Sequence, residues 1–179
     1  MFHPDTQFLI DHWTSLAARR GTRGGVPDRA DLKPDALGLR LPRSFMAERK
    51  GAEVRLRLVG GWIESLHGAP LASETLASLW RVESRAMIQA AAQRAMDEAA
   101  PMVVNATVGA AGSSLEITLA PMRSASGRID RILGLYAPLS SLTLTRDESR
   151  QLTGRFARTV RSVSRPPLSL AAVDGRRVA

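Results

Sequence analysis

Residues 102–136 read MVVNATVGAAGSSLEITLAPMRSASGRIDRILGLY and predict three β-strands in succession. The strands span 102–109, 114–121 and 129–136, and short turns rich in glycine and serine join them. Apolar and polar side chains alternate along the middle strand, which is the pattern of a strand with one buried face. Because no helix separates these strands, they indicate an antiparallel meander and argue against a fold of repeated strand–helix–strand units.

Two more strands precede the meander, at residues 43–49 and 53–59. The second alternates apolar with charged residues, so three apolar side chains are predicted to face the core together: Val54, Leu56 and Leu58. Short helical turns follow, and then an alanine-rich helix at 81–99 that Pro101 ends. Because two and three strands are too few for separate sheets, we predict an α+β domain with one five-stranded antiparallel sheet and helices on one face.

The two ends of the chain differ from this central part. Apolar side chains at helical spacing predict an N-terminal helix over residues 5–20. Residues 146–165 carry arginines between apolar residues at spacings that predict a basic amphipathic helix, followed by a disordered end. We therefore divide the chain into an N-terminal helix and connector (1–26), a central domain (27–144) and a basic C-terminal extension (145–179).

The charge and hydropathy of the chain bear on its possible partners and its location in the cell. The formal net charge is +8, and residues 146–179 hold eight basic and three acidic side chains, so most of the excess lies in the tail. A second hypothesis is therefore that the segment 146–165 binds nucleic acid or an anionic membrane, although nucleic acid is not the partner we expect. No apolar run is long enough to span a bilayer and no signal peptide is evident, so we expect a cytoplasmic protein.

Five short segments carry a resemblance to a known family. They are PDRADLKP at 27–34, LP at 41–42, LRLVGG at 56–61, LHG at 66–68 and LASLW at 76–80. Together with the order of strands and helices, they resemble the PAS domain family, and in particular the short single-domain PAS proteins of alphaproteobacteria. The resemblance implies a regulatory module that senses a small molecule or docks a partner protein and has no enzymatic activity. A PAS fold alone does not select the ligand.

The sequence contains no recognisable catalytic or cofactor site. No serine or histidine has the spacing of a nucleophile–base pair, and no acidic residues cluster at metal-ligand spacing, so neither an enzyme nor a metal site is predicted. The chain has no cysteine, which excludes a cysteinyl–flavin adduct, and the helix at 81–99 has no histidine to ligate haem. We therefore expect no cofactor, neither haem nor flavin.

A pocket and an interface remain as candidate sites. A small-molecule pocket is predicted among Trp62, His67, Trp80, Met87, Asn105 and Tyr136. Its two tryptophans are either a lid over a ligand or anchors of the core.

An interface with a second copy of the chain, or with a signalling partner, is predicted at Phe8, Leu9, Trp13, Leu16 and Arg57. The four apolar residues would bury against the sheet of the same chain or of a partner. Arg57 would form a salt bridge or pack beneath the N-terminal helix, or it would contact an anion or partner.

Overall fold

The computed structural model describes residues 1–19, 25–142, 144–145 and 148–160. Its α-helices are α1 (Pro4–Ala17), α2 (Gly61–His67) and α3 (Val82–Asp97). Short 3-10 helices occupy Arg29–Asp31, Pro34–Arg43 and Leu76–Leu79. The strands are β1 (Ser44–Lys50), β2 (Glu53–Val59), β3 (Met102–Val108), β4 (Ser113–Arg123), β5 (Ile129–Pro138) and β6 (Thr153–Thr159). Within the described ranges these strands form one antiparallel sheet in the order β2-β1-β5-β4-β3-β6.

The predicted meander and the α+β class are both confirmed. β3, β4 and β5 are consecutive antiparallel neighbours, with Val104 opposite Ile117 and Ile117 opposite Tyr136. β1 pairs with β5, which brings the hairpin of β1 and β2 into the same sheet. The five predicted strands therefore form one sheet, and a sixth strand extends it beyond β3.

The sheet buries side chains on both of its faces. On the inner face, α2, α3 and a short 3-10 helix cover the larger core, which contains Trp80 and Tyr136. On the outer face, α1 packs against β4 and β5, and a smaller core forms around Leu9 and Met122. β4 and β5 supply alternate residues to the two cores, as the two-residue period of a strand requires.

Hydrogen bonds and apolar contacts together hold α1 on the outer face. His3 caps the helix, because its ring Nδ1 accepts from the backbone N–H of Asp5 at 3.1 Å. The indole N–H of Trp13 donates to the carbonyl oxygen of Pro121 at 2.6 Å, and the side chain of Leu16 is buried. Burial of each such apolar side chain stabilises the docked helix by about 1.5–3 kcal/mol.

A β-bulge in β2 overturns one prediction about the core. Met46 pairs with Leu58 and Ala47 pairs with Leu56, so Arg57 has no partner residue on β1. The extra residue breaks the two-residue period and turns Leu58 from the inner face to the outer face. The prediction that Leu58 shares the buried face with Leu56 is therefore wrong, and the Leu58 side chain is 60% exposed.

The C-terminal extension contains a strand where a helix was predicted. Residues Thr153–Thr159 pair antiparallel with β3, and Ala157 lies opposite Val104. The spacing of Leu152 and Phe156 suits either a helix or a strand, and the unpaired edge of β3 decides between them by supplying hydrogen-bond partners. The predicted helix at 146–165 is wrong for the residues of β6. Its positions 146–147 and 161–165, and the predicted disordered end, lie outside the described residues.

Candidate functional site

Four aromatic rings meet on the inner face of the sheet. Tyr136 is fully buried on β5, and its ring centroid lies 6.0 Å from Phe45, 6.3 Å from Trp62 and 6.1 Å from His67. All three contacts are edge-to-face, the arrangement that aromatic quadrupoles favour. The structure thus brings together Trp62, His67 and Tyr136, three residues of the predicted pocket.

Burial sets the protonation of the two polar groups in this aromatic cluster. Nε2 of His67 lies 3.4 Å from the hydroxyl of Tyr136, at the long limit of a hydrogen bond. Burial lowers the pKa of His67 to about 4, so its imidazole is neutral at neutral pH. Burial also raises the pKa of Tyr136 well above its usual value, so the phenol stays protonated. The pair can exchange hydrogen bonds but carries no charge.

The other three residues of the predicted pocket occupy different places. Trp80 is fully buried in the inner core, and its indole N–H has no hydrogen-bond partner among the described residues. Met87, on α3, packs against the same core beside Gly154. Asn105 lies opposite Glu116 on β3 and faces the outer side of the sheet, away from Tyr136. Five of the six residues therefore belong to the inner face, and Asn105 does not.

The segment before β6 is clasped to α2 by a residue that sequence reasoning missed. Nη1 of Arg150 donates to the carbonyl oxygens of Ser65 at 3.1 Å and Leu66 at 2.8 Å. A cationic donor at the last carbonyls of a helix stabilises that end. A surface cavity of about 320 Å³ lies beside this clasp, with His67 and Arg150 in its wall. No local motif marks Arg150, because its partners lie 84 and 85 residues away.

Comparison with known proteins now identifies the fold family. A family model described as a PAS domain matches residues 1–137. The chain belongs to the PAS domain family. A search of curated proteins found no match. The matched residues end within β5, so both Arg150 and β6 of this PAS domain lie beyond them.

Most of the predicted interface of the PAS domain is used within its own chain. Leu9, Trp13 and Leu16 are buried against the outer face of the sheet. Phe8 is half-buried, with the guanidinium of Arg40 3.9 Å from its ring centroid. These contacts correspond to the alternative in which the helix buries against its own sheet.

Arg57, the fifth predicted interface residue, lies at the surface. Its Nε is 3.4 Å from Oε2 of Glu48, and about half of its side chain is exposed. The contact is thus a salt bridge, one of the alternatives predicted for this residue. Pairs of this kind contribute at most about 1 kcal/mol.

An apolar groove opens on the outer face beyond the area that α1 covers. It encloses about 160 Å³ between the 3-10 helix Pro34–Arg43 and the first two strands. Its walls are formed by Arg29, Leu32, Pro34, Leu37, Leu41, Ser44, Phe45, Met46, Leu58, Val59, Gly60 and Leu133. Leu41 and Leu58 stand at its rim with 45% and 60% of their surface exposed. The bulge at Arg57 turns Leu58 to this side, where it forms part of the rim.

Two absences apply to the part of the chain that the structure describes. No helix there combines the length and the apolar character that crossing a membrane requires. No three histidine, aspartate or glutamate side chains there are grouped so that they could hold a metal ion.

Proposed function

We propose that this PAS domain is a non-catalytic, cytoplasmic regulatory module that docks a partner protein in the groove beside Leu58. The observation that carries the proposal is the bulge at Arg57. Without it Leu58 would lie in the inner core, and with it a leucine is 60% exposed at the rim of an apolar cavity. Single exposed leucines are common on protein surfaces, but an exposed leucine that continues an apolar groove is typical of a docking site.

The walls of the groove indicate the chemistry of the partner. Arg29 is the one charged side chain among the described residues that line it, and leucines dominate the rest. An aliphatic side chain therefore fits the groove, and a neighbouring carboxylate would pair with the guanidinium of Arg29. The partner we propose is a protein segment in which acidic residues flank a leucine, an isoleucine or a methionine.

A small ligand could modulate this docking from the inner face. The buried indole N–H of Trp80 has no described partner, and the contact between His67 and Tyr136 is long, so the inner core holds polar groups that a ligand could satisfy. Val59 of the groove also packs against the inner core, which links the two faces of β2. Occupancy of the inner core would then shift the population of binding-competent groove conformations. This mechanism requires no metal, haem or flavin.

A peptide-display selection tests the proposal with the full chain as bait. A library of random dodecapeptides is enriched on the protein, and the selected peptides are synthesised and titrated by fluorescence polarisation. We expect enrichment of peptides with an aliphatic residue beside aspartate or glutamate. Leu58→Asp and Arg29→Glu should each weaken their binding by about tenfold or more, since each removes a direct contact.

Val82→Asp is the matched control. Val82 is 74% exposed at the start of α3, on the inner side of the sheet, so the substitution adds the same negative charge away from the groove. Peptides that bind Leu58→Asp as tightly as the unchanged protein would overturn the proposal. So would a selection that enriches no acidic–aliphatic sequence.

A further inference from the structure

β6 forms one edge of the sheet, and its hydrogen-bonding pattern shows which backbone groups remain open. The N–H of Val160 donates to the carbonyl oxygen of Pro101 at 2.7 Å. In an antiparallel pair, hydrogen-bonded residues recur at every second position, so Phe156 and Arg158 also bond to β3. The residues between and after them, Ala157 and Thr159, direct their N–H and C=O groups away from β3.

The open edge is short and well defined. At its beginning, the N–H of Gly154 donates to Oγ of Ser84 at 2.9 Å, and Leu152 is bridged to Trp80, so this part is closed. From 157 to 159, no backbone partner on the outer side of β6 is found among the described residues, and a bulge at Arg155 separates this part from Gly154. An edge strand of this kind is a template for another strand.

We propose that β6 pairs with β6 of a second copy of this chain, antiparallel and two-fold symmetric about Ala157. This register follows from the open groups, because Ala157 would exchange two hydrogen bonds with the partner's Ala157. Arg155, the extra residue of a bulge in β6, would lie opposite the partner's Thr159, so the register is set by the pair at Ala157. The two sheets would join into one continuous antiparallel sheet.

Side chains on the outer face complement one another in this register. Phe156, 51% exposed, would lie directly opposite the partner's Arg158, in the type of pair whose side chains approach most closely. The guanidinium of Arg158 already lies 4.1 Å from the ring centroid of Phe2. Because a guanidinium is planar, its second face is available for the aromatic ring of the partner's Phe156.

This assembly does not depend on the groove. The groove lies over β1 and β2 at the opposite edge of the sheet, so one dimer would leave two grooves open. The two proposals can therefore fail separately.

Sedimentation velocity of the full chain over a range of micromolar concentrations tests the proposal. The unchanged protein should form a dimer that Ala157→Pro reduces to a monomer, because proline removes an outward N–H and no bond to β3. Phe156→Ala should weaken the dimer by about tenfold or more, since the partner's Arg158 loses its aromatic contact at both symmetric positions. Circular dichroism checks that each variant is folded.

A strict monomer at every concentration would overturn the pairing of β6. A dimer that persists in Ala157→Pro, or that Phe156→Ala leaves unchanged, would equally overturn it. Leu139→Ala, at an apolar residue that is 47% exposed just after β5, is the control and should leave the dimer intact. If the dimer fails and acidic–aliphatic peptides still bind beside Leu58, the proposed function stands without this assembly.

Discussion

The guanidinium of Arg150 lies 2.8 Å from the carbonyl oxygen of Leu66 and closes the C-terminal end of α2. The same helix end carries His67, whose ring faces Tyr136 in the inner core. The chain then proceeds from Arg150 into β6. One side chain thus connects the aromatic cluster of the PAS domain to the strand that lies beyond the matched family region.

Replacement of Arg150 by alanine should destabilise the protein. The carbonyl oxygens of Ser65 and Leu66 lose a charged donor, and loss of such hydrogen bonds costs about 1–3 kcal/mol in the free energy of unfolding. Urea denaturation followed by circular dichroism measures the change. Arg81→Ala, at an exposed arginine, is the control and should stay within about 0.5 kcal/mol of the unchanged protein. Equal midpoints for both variants would contradict the role of the clasp.

The stability of the protein should fall as the pH is lowered from about 6.5 to about 4. The pKa of His67 is about 4 in the folded protein and 6.5 in the unfolded chain, so in this window the unfolded chain binds the extra proton. The contribution of the neutral imidazole to the free energy of unfolding is fully present above the pKa that His67 has in the unfolded chain. Its loss at low pH amounts to about 3 kcal/mol at most. Urea midpoints at about pH 7.5 and about pH 5 measure the slope.

His67→Gln should reduce this pH dependence, whatever its effect on stability at neutral pH. His12→Gln is the matched comparison, because burial lowers the pKa of His12 as well but that residue lies on α1, outside the inner core. A slope that is unchanged in His67→Gln would show that the imidazole is not held neutral by burial.

Trp13→Phe should lower stability without changing the assembly state. The substitution keeps an aromatic ring on the outer face but removes the donor to Pro121, which leaves a buried carbonyl oxygen unsatisfied at a cost of about 1–3 kcal/mol. Chemical denaturation measures that cost, and sedimentation measures the mass. A change in mass at a concentration where the variant is folded would mean that α1 docks on a second chain.

Gly134→Ala should be strongly destabilising, whereas Gly61→Ala should be neutral or mildly stabilising. A Cβ atom at Gly134 would overlap the ring of Phe45, and an overpacked core costs about 1–3 kcal/mol or more. At Gly61 a Cβ atom meets no neighbour, and alanine is the better helix former at the start of α2. Thermal denaturation of the two variants side by side measures the difference in their stability. Equal melting temperatures would contradict the packing described around Phe45.

The sequence was sufficient for the sheet but not for every side chain on it. The meander of residues 102–136 could be predicted because alternation and turn residues are local signals. The orientation of Leu58 could not, because the bulge at Arg57 depends on the pairing of β2 with β1. A one-residue insertion leaves no mark in the alternating pattern of β2 itself.

The C-terminal extension shows the same limit for secondary structure. Leu152 and Phe156 recur at a spacing that an amphipathic helix would give, but the edge of β3 recruits the segment as a strand. The helical basis of the nucleic-acid and membrane hypothesis is therefore absent from β6. Arg158 instead faces Glu116 at 3.7 Å within the same chain.

The structure brings together some of the residues named for the candidate pocket. Trp62, His67 and Tyr136 meet because they come from α2 and β5, which the PAS order of elements places on the same side of the sheet. Asn105 was misplaced because residue parity along β3 directs it to the outer face. The contact of Arg150 with α2 could not be predicted, because only the folded chain brings the two together.

Hydrogen–deuterium exchange of the full chain, with and without a display-selected acidic–aliphatic peptide, tests the docking surface most directly. The account predicts that the peptide newly protects residues 29–46 and 58–60, which border the groove, and no other part of the chain. In Leu58→Asp the same peptide should protect none of these residues. Protection restricted to β6, or to α2 and the inner core around Tyr136, would contradict the assignment of the Leu58 groove as the docking site.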